Sequence, residues 1–125
     1  MGHGARLVIA AGNFPSESVG KNSVVIRMDG HNACDVLKAI LELFPLDTYV
    51  EKPVSLMQKM AGDTVETPIW DEYKSIVGEF DSRGEVAFCD IERFKFYECA
   101  KTAYAIIATG ESALYANIML QKGVI

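Results

Sequence analysis

Residues 92–124 have the sequence ERFKFYECAKTAYAIIATGESALYANIMLQKGV, and this stretch decides the predicted fold. An apolar run at residues 103–108 precedes a turn at Gly110, and a second apolar run occupies residues 118–120. Continuous apolar runs of this length are typical of strands buried on both faces of a sheet. The stretch therefore predicts one helix and two strands, at residues 90–101, 103–109 and 117–121.

The same stretch carries side chains that suit a neutral, polyhydroxylated ligand. The guanidinium of Arg93 stands among aromatic residues, and the phenol of Tyr115 and the carboxamide of Asn117 stand beside the last strand. These groups donate and accept hydrogen bonds, and aromatic faces pack against the C–H face of a sugar. The alternative is a structural role, because arginine and tyrosine often bury an apolar stem while the polar tip stays in water.

Outward from this stretch, strands and helices alternate along the chain. Asn32, with Asp35 three positions later, predicts the amino-terminal cap of a helix that ends at Pro45. Pro68 predicts the first position of a second helix, and Asp90 predicts the cap of the third. Further strands are predicted at residues 6–11, 24–28, 54–60 and 86–89.

This alternation predicts an α/β fold, with a mixed sheet flanked by helices. The chain has 125 residues, of which 50% are hydrophobic, so one core can form without a metal or a disulfide. A loop rich in Gly, Asn and Ser is predicted at residues 12–23. We therefore expect a single domain over residues 1–125, in which the order of the strands is left open.

Charge and composition exclude several classes of partner. The net charge is −5 and no basic cluster occurs, so nucleic acid is not an expected partner. No apolar run approaches the length of a membrane span, and no secretory signal is visible at the amino end. Cys34, Cys89 and Cys99 form no CxxC pair, which argues against a zinc site or disulfides and favours reduced thiols in the cytoplasm.

Four blocks of sequence resemble the RbsD/FucU sugar mutarotase family, in particular its L-fucose mutarotase branch. They occur in the expected order and together cover nearly the whole chain, and the segment TPIWDEYKSI at residues 67–76 is similar to the animal-type members. The blocks are MGHG at residues 1–4, NFP at residues 13–15, LDTYVEKP at residues 46–53, and residues 92–124.

The resemblance implies an RbsD-like fold and an isomerase that interconverts the α and β anomers of a reducing sugar without a metal or an organic cofactor. It implies a ring-like homo-oligomer, often a decamer, with the sugar pocket near a subunit boundary. The family histidine of MGHG corresponds to His3, which becomes the expected acid/base. Arg93, Tyr115 and Asn117 become the expected substrate contacts, and Tyr115 is also a second candidate for proton transfer.

Three departures from the family pattern bear on these expectations. Ala11 stands where family members usually carry an aspartate that holds sugar hydroxyls, and Ala116 stands where the family has the glycine of Tyr-Gly-Asn. Family members usually also carry a segment with a helix ahead of MGHG, and this chain begins at MGHG, through natural loss or truncation. The missing carboxylate at Ala11 leaves open a sugar-binding homologue with impaired turnover.

Anomer exchange requires a sugar ring to open and close again on its other face. A proton leaves the anomeric hydroxyl while another reaches the ring oxygen, and an imidazole suits this task because its ordinary pKa of about 6.5 lies near neutral pH. We expect L-fucose as the substrate, with His3 as the acid/base. Its expected contacts are Arg93, Tyr115 and Asn117. A ribopyranose mutarotase is the other alternative, and the residue blocks quoted above favour fucose.

Overall fold

The computed structural model describes residue 2 and residues 4–124. Within these residues the chain forms a six-stranded sheet with helices on both faces. The strands are β1 (Arg6–Ala10), β2 (Val24–Met28), β3 (Val54–Met57), β4 (Phe88–Ile91), β5 (Ala105–Thr109) and β6 (Ile118–Gln121). The helices are α1 (Ser16–Val19), α2 (Ala33–Leu43), α3 (Pro68–Phe80) and α4 (Arg93–Lys101), with a short 3-10 helix at Gly84–Ala87.

The sheet is mixed, as predicted, and its strand order is β2-β5-β1-β6-β3-β4. β6 runs antiparallel to both of its neighbours, β1 and β3, whereas the other neighbouring strands pair in parallel. The five remaining strands therefore share one direction. Their carboxyl ends meet at the same edge of the sheet as the amino end of β6, which is where α/β folds commonly bind ligands.

Alternate residues of the central strands serve two separate hydrophobic clusters. Leu7 and Ile9 of β1 belong to the cluster that packs under α2 and α3. Val8 and Ala10 belong to the cluster on the opposite face, which α1 and α4 cover. Because both faces of the central strands are buried, residues 7–10 of β1 and 105–108 of β5 are apolar at every position. Burying each large apolar side chain contributes about 1.5–3 kcal/mol.

Several local predictions are confirmed. The Asn32 side chain accepts a hydrogen bond from the backbone N–H of Asp35 (2.8 Å), which caps α2. The chain leaves the helix at Phe44, before Pro45, and α3 begins at Pro68. The strand predicted at residues 24–28 has the bounds of β2. These features depend on neighbouring residues, so they follow from local sequence.

Other predicted boundaries are wrong. Residues 86–89 do not form one strand, because the 3-10 helix continues to Ala87 and β4 begins at Phe88. Asp90 lies inside β4, and Glu92 caps α4 instead, with its carboxylate accepting from the N–H groups of Phe94 and Lys95. The strand predicted at residues 54–60 ends at Met57, and the loop predicted at residues 12–23 contains α1.

Candidate ligand pocket

A cavity of about 300 Å³ opens at the carboxyl edge of the five strands that share one direction. Four of the predicted site residues, Ala11, Arg93, Tyr115 and Asn117, lie together in its wall. His3, the predicted acid/base, lies outside the described residues. The complete lining is Ala11, Asn13, Phe14, Met57, Met60, Asp63, Arg93, Tyr97, Leu114, Tyr115, Ala116 and Asn117.

Tyr115 occupies an unusual backbone conformation at the entry to β6. Its φ is 55°, in the left-handed region that residues other than glycine rarely adopt. The indole N–H of Trp70 donates to the Tyr115 carbonyl (2.7 Å), and the buried Tyr73 hydroxyl donates to the carbonyl of Ala116 (2.6 Å). Two side chains of α3 thus hold the strained segment, and such strain is frequently found at binding sites.

The phenol of Tyr73 keeps its proton for this contact. Burial is the main cause that raises the pKa of Tyr73, and the nearby acidic groups Cys34, Glu111 and Glu72 raise it further. The neutral hydroxyl is therefore a permanent donor to the Ala116 carbonyl. Trp70 is partly buried against the core and also supports the pocket through its N–H.

The Tyr115 ring reaches a loop on the other side of the pocket. Its hydroxyl donates to the Oδ2 atom of Asp63 (2.5 Å) and accepts from the backbone N–H of Met60 (3.2 Å). The Trp70 ring meets the Tyr115 ring edge-on, with centroids 6.4 Å apart. The phenol is therefore fixed by three neighbours rather than free to rotate into the solvent.

The carboxamide of Asn117 is oriented by the end of β1. Its Oδ1 atom accepts from the backbone N–H of Ala11 (2.8 Å), and the residue is buried. Because the oxygen is used in this contact, the Nδ2 atom with its two hydrogens is the part of the side chain left to bind a ligand. Ala11 thus shapes the site through its backbone, and its methyl group occupies the wall where the family pattern has a carboxylate.

Arg93 contributes the positive charge of the pocket. It is the first residue of α4, its Nη1 atom lies 3.5 Å from the Met60 sulfur, and its guanidinium carbon lies 5.7 Å from the centre of the Tyr97 ring. The carboxylate of the neighbouring Glu92 accepts from the backbone N–H groups of Phe94 and Lys95 and caps α4. The exposed guanidinium is therefore placed to bind hydroxyl groups.

Several lining residues were not predicted from the sequence, among them Asp63, Met57 and Tyr97. Tyr97 follows Arg93 by four positions, a spacing that places two side chains on one face of a helix and that carries a usable signal. Asp63 carries no such signal, because it meets Tyr115 across 52 positions of sequence. Ala116 stands where the family has a glycine. Its φ is not positive and the residue is fully buried, so its methyl group fits without backbone strain.

The amino end of the described chain lies at the opposite edge of the sheet. The N–H of Gly4 donates to the carbonyl of Lys122 (2.6 Å), beyond the carboxyl end of β6, whereas Asn117 precedes the amino end of β6. The five steps from Asn117 to Lys122 span about 17 Å along a strand. Gly4 and the pocket of the same chain are therefore far apart.

Within residues 2 and 4–124, no group of three or more His, Cys, Asp or Glu side chains is arranged to hold a metal ion. Among the helices of the described chain, none is long and apolar enough to cross a membrane. Among the polar residues that line the pocket, the guanidinium of Arg93, the carboxamide N–H₂ group of Asn117 and the phenol oxygen of Tyr115 suit a small neutral molecule rich in hydroxyl groups.

Replacing Trp70 by phenylalanine tests how the pocket is held. The variant keeps an aromatic ring but loses the N–H that binds the Tyr115 carbonyl, so the free energy of unfolding is expected to fall by about 0.5–1.5 kcal/mol. Tyr73→Phe is the matched comparison. It leaves the carbonyl of Ala116 buried and unsatisfied, and it is expected to cost about 1–3 kcal/mol in chemical denaturation. Unchanged stability in both variants would contradict this account of the strained segment.

The fold and the pocket together define a single-domain α/β protein with a cavity at the carboxyl edge of its parallel strands. Residues 1–125 match the family described as the RbsD / FucU transport protein family, and the chain belongs to that family. The predicted resemblance is thereby confirmed.

Relatives of known name and structure cover the full length of the chain. The human protein named fucose mutarotase is 47% identical, and the match covers 100% of this chain and 82% of that one. The structure of FucU from Bifidobacterium longum is 63% identical with a TM-score of 0.98, covering 100% of this chain and 87% of that chain. The structure of fucose mutarotase from Streptococcus pneumoniae in complex with L-fucose is 42% identical with a TM-score of 0.91, covering 100% and 86%.

Proposed function

We propose that this protein is a sugar mutarotase that interconverts the α and β anomers of L-fucose. The observation that carries the proposal is the convergence of Arg93, Tyr115 and Asn117 on one cavity of about 300 Å³. The relatives named fucose mutarotase and the Streptococcus pneumoniae structure in complex with L-fucose support this choice of reaction and sugar. The identity of 42–47% to these proteins favours fucose over ribopyranose.

The pocket residues have different roles in ring opening. The guanidinium of Arg93 is always charged, so it stabilises the negative charge that develops on a sugar oxygen as its proton leaves. The Nδ2 atom of Asn117 donates to a sugar hydroxyl and orients the ring. Tyr115 contacts the same ligand, and His3 supplies or removes the proton at the anomeric or ring oxygen. No electron is transferred, so this chemistry needs no redox cofactor.

The distance between Gly4 and the pocket makes self-association part of the proposal. For His3 to reach a sugar bound by Tyr115 and Asn117, the histidine has to come from a neighbouring copy of the chain. Apolar side chains around the pocket support such a contact, since Met60, Phe94 and Leu114 are 55%, 70% and 57% exposed. We therefore propose a homo-oligomer with sites at subunit boundaries, and we propose a decameric ring as its form because the family resemblance implies one.

Saturation-transfer NMR on L-fucose tests the proposed reaction. Transfer between the α and β anomeric signals is expected to be faster with the protein than in buffer, by a factor that rises with protein concentration. D-Galactose and D-ribose serve as comparison sugars, and the largest acceleration is expected for L-fucose. Exchange equal to that in buffer, from correctly assembled protein, would refute the enzymatic proposal, and a preference for ribose would favour the ribopyranose alternative.

The same assay decides whether Ala11 marks a protein that binds sugar without turnover. Ala11→Asp restores a carboxylate to the pocket wall, and a large gain in exchange would indicate that the wild-type protein is impaired.

We propose the cytoplasm as the location of the protein, because Cys34, Cys89 and Cys99 are all free thiols in this fold.

A further inference from the structure

The hydroxyl of Tyr115 makes two hydrogen bonds within the protein, without any ligand. It has one hydrogen, which it donates to the Oδ2 atom of Asp63 at 2.5 Å. It has two lone pairs, and one of them accepts the backbone N–H of Met60 at 3.2 Å. A single lone pair therefore remains to face the pocket that both Tyr115 and Asp63 line.

The Asp63 carboxylate is held in place although it lies on an exposed loop. Its second oxygen, Oδ1, accepts from the backbone N–H of Val65 (3.0 Å). The Lys59 ammonium donates to the Val65 carbonyl (2.7 Å) and lies 5.3 Å from the centre of the Trp70 ring. The loop that carries Asp63 therefore contacts Trp70, the same residue that donates to the Tyr115 carbonyl. Trp70 thus supports both Asp63 and Tyr115.

The charge of Asp63 decides the direction of this hydrogen bond. The hydrogen bond from Tyr115 is the main cause that lowers the pKa of Asp63, and the Val65 N–H and the positive charge of Lys59 act in the same direction. An ionised carboxylate has no hydrogen and only accepts. At neutral pH the phenol has to be the donor, so its hydrogen points toward the loop and away from the remaining lone pair.

We propose that Asp63 is a positioning residue that acts through Tyr115. By holding the phenol hydrogen, it makes the Tyr115 oxygen a hydrogen-bond acceptor toward the sugar and fixes which sugar hydroxyl this residue binds. The contact also increases electron density on the phenol oxygen, which strengthens the hydrogen bond that it accepts. Asp63 itself need not touch the sugar.

The inference rests on the proposed mutarotase function and is tested with a cycle of variants. Asp63→Asn replaces the acceptor by an amide that can donate to the phenol oxygen, which turns the phenol hydrogen toward the pocket. We expect the efficiency of exchange, kcat/KM for L-fucose, to fall by about tenfold or more, with less than about a twofold further effect of Asp63→Asn when Tyr115→Phe is already present. Glu66→Gln, which removes a charge from the same loop at an exposed position, is the control and should leave exchange unchanged.

A readout that needs no sugar separates this inference from the proposed function. In protein labelled with 13C at the tyrosine Cζ position, the Tyr115 signal is assigned by its loss in Tyr115→Phe. Asp63→Asn is expected to move that signal upfield, because the phenol stops donating to a carboxylate. An unchanged Cζ signal, or an equal loss of exchange in the wild-type and Tyr115→Phe backgrounds, would overturn the proposal. If the wild type fails to accelerate exchange, the proposed function falls, and the Cζ signal together with L-fucose affinity across the four proteins of the cycle still decides the role of Asp63.

Discussion

Replacing His3 by alanine is expected to lower the rate of L-fucose anomer exchange by about 10²–10⁴-fold, the usual contribution of a positioned acid/base group. An imidazole is suited to move protons near neutral pH, and no other histidine lines the described part of the pocket. The measurement is saturation-transfer NMR at equal concentrations of assembled protein. Full activity of His3→Ala would remove the role assigned to this residue.

The source of the histidine is tested by mixing two chains, each with one site residue replaced. If each site takes His3 from one copy and Tyr115 from its neighbour, co-expression of His3→Ala with Tyr115→Phe in equal amounts restores a complete set of residues in about one quarter of the sites. If both residues act within one chain, mixing restores nothing. Tyr115→Phe mixed with Asn117→Ala is the matched control. These two residues line the same pocket, so no complete site forms in that mixture.

Replacing Asn117 is expected to have the second large effect, and two substitutions separate its two roles. Asn117→Ala removes the acceptor of the Ala11 N–H and leaves this backbone group unsatisfied, which is expected to lower the free energy of unfolding by about 1–3 kcal/mol. Sugar binding falls as well, because the Nδ2 donor is lost. Chemical denaturation and L-fucose titration measure the two effects independently.

Asn117→Asp keeps an oxygen for the Ala11 N–H but replaces the donor to the sugar by an acceptor. Its affinity for L-fucose is expected to fall by about tenfold to a hundredfold, since a ligand hydroxyl that received a hydrogen bond now meets an oxygen. The burial of this position adds a desolvation penalty for the new charge, so stability is best compared at several pH values. Wild-type affinity in Asn117→Asp would show that the amide N–H₂ group does not bind the sugar.

The elements that local sequence predicted well are those whose signals are local. The side chain of Asn32 caps α2 through a residue three positions away, and the apolar runs at residues 103–108 and 118–120 contain most of β5 and all but the last residue of β6. The edge strand β4 was misplaced because it contains Asp90, and polar residues are tolerated where one side of a strand has no neighbour. Its true bounds depend on pairing with β3, which lies more than thirty positions earlier.

The predictions for the pocket show the same difference between local signals and contacts of distant segments. The resemblance and the hydrogen-bonding chemistry of the carboxyl-terminal stretch predicted Arg93, Tyr115 and Asn117, and the structure brings all three to one cavity with Ala11. Asp63 was not among the predicted site residues, because nothing in its neighbourhood connects it with a tyrosine 52 positions away. The positive φ of Tyr115 also has no local signal, since a residue in that conformation is ordinarily glycine.

The amino-acid sequence by itself determined the class of fold, the family and several of the polar residues that line the pocket, because apolar runs, caps and motifs are properties of neighbouring residues. Tertiary structure alone decided the strand order, the direction of the Tyr115 hydroxyl and the use of the Asn117 oxygen. These depend on contacts between distant segments, where the gain from burial and hydrogen bonding overrides the preferences of each residue taken alone.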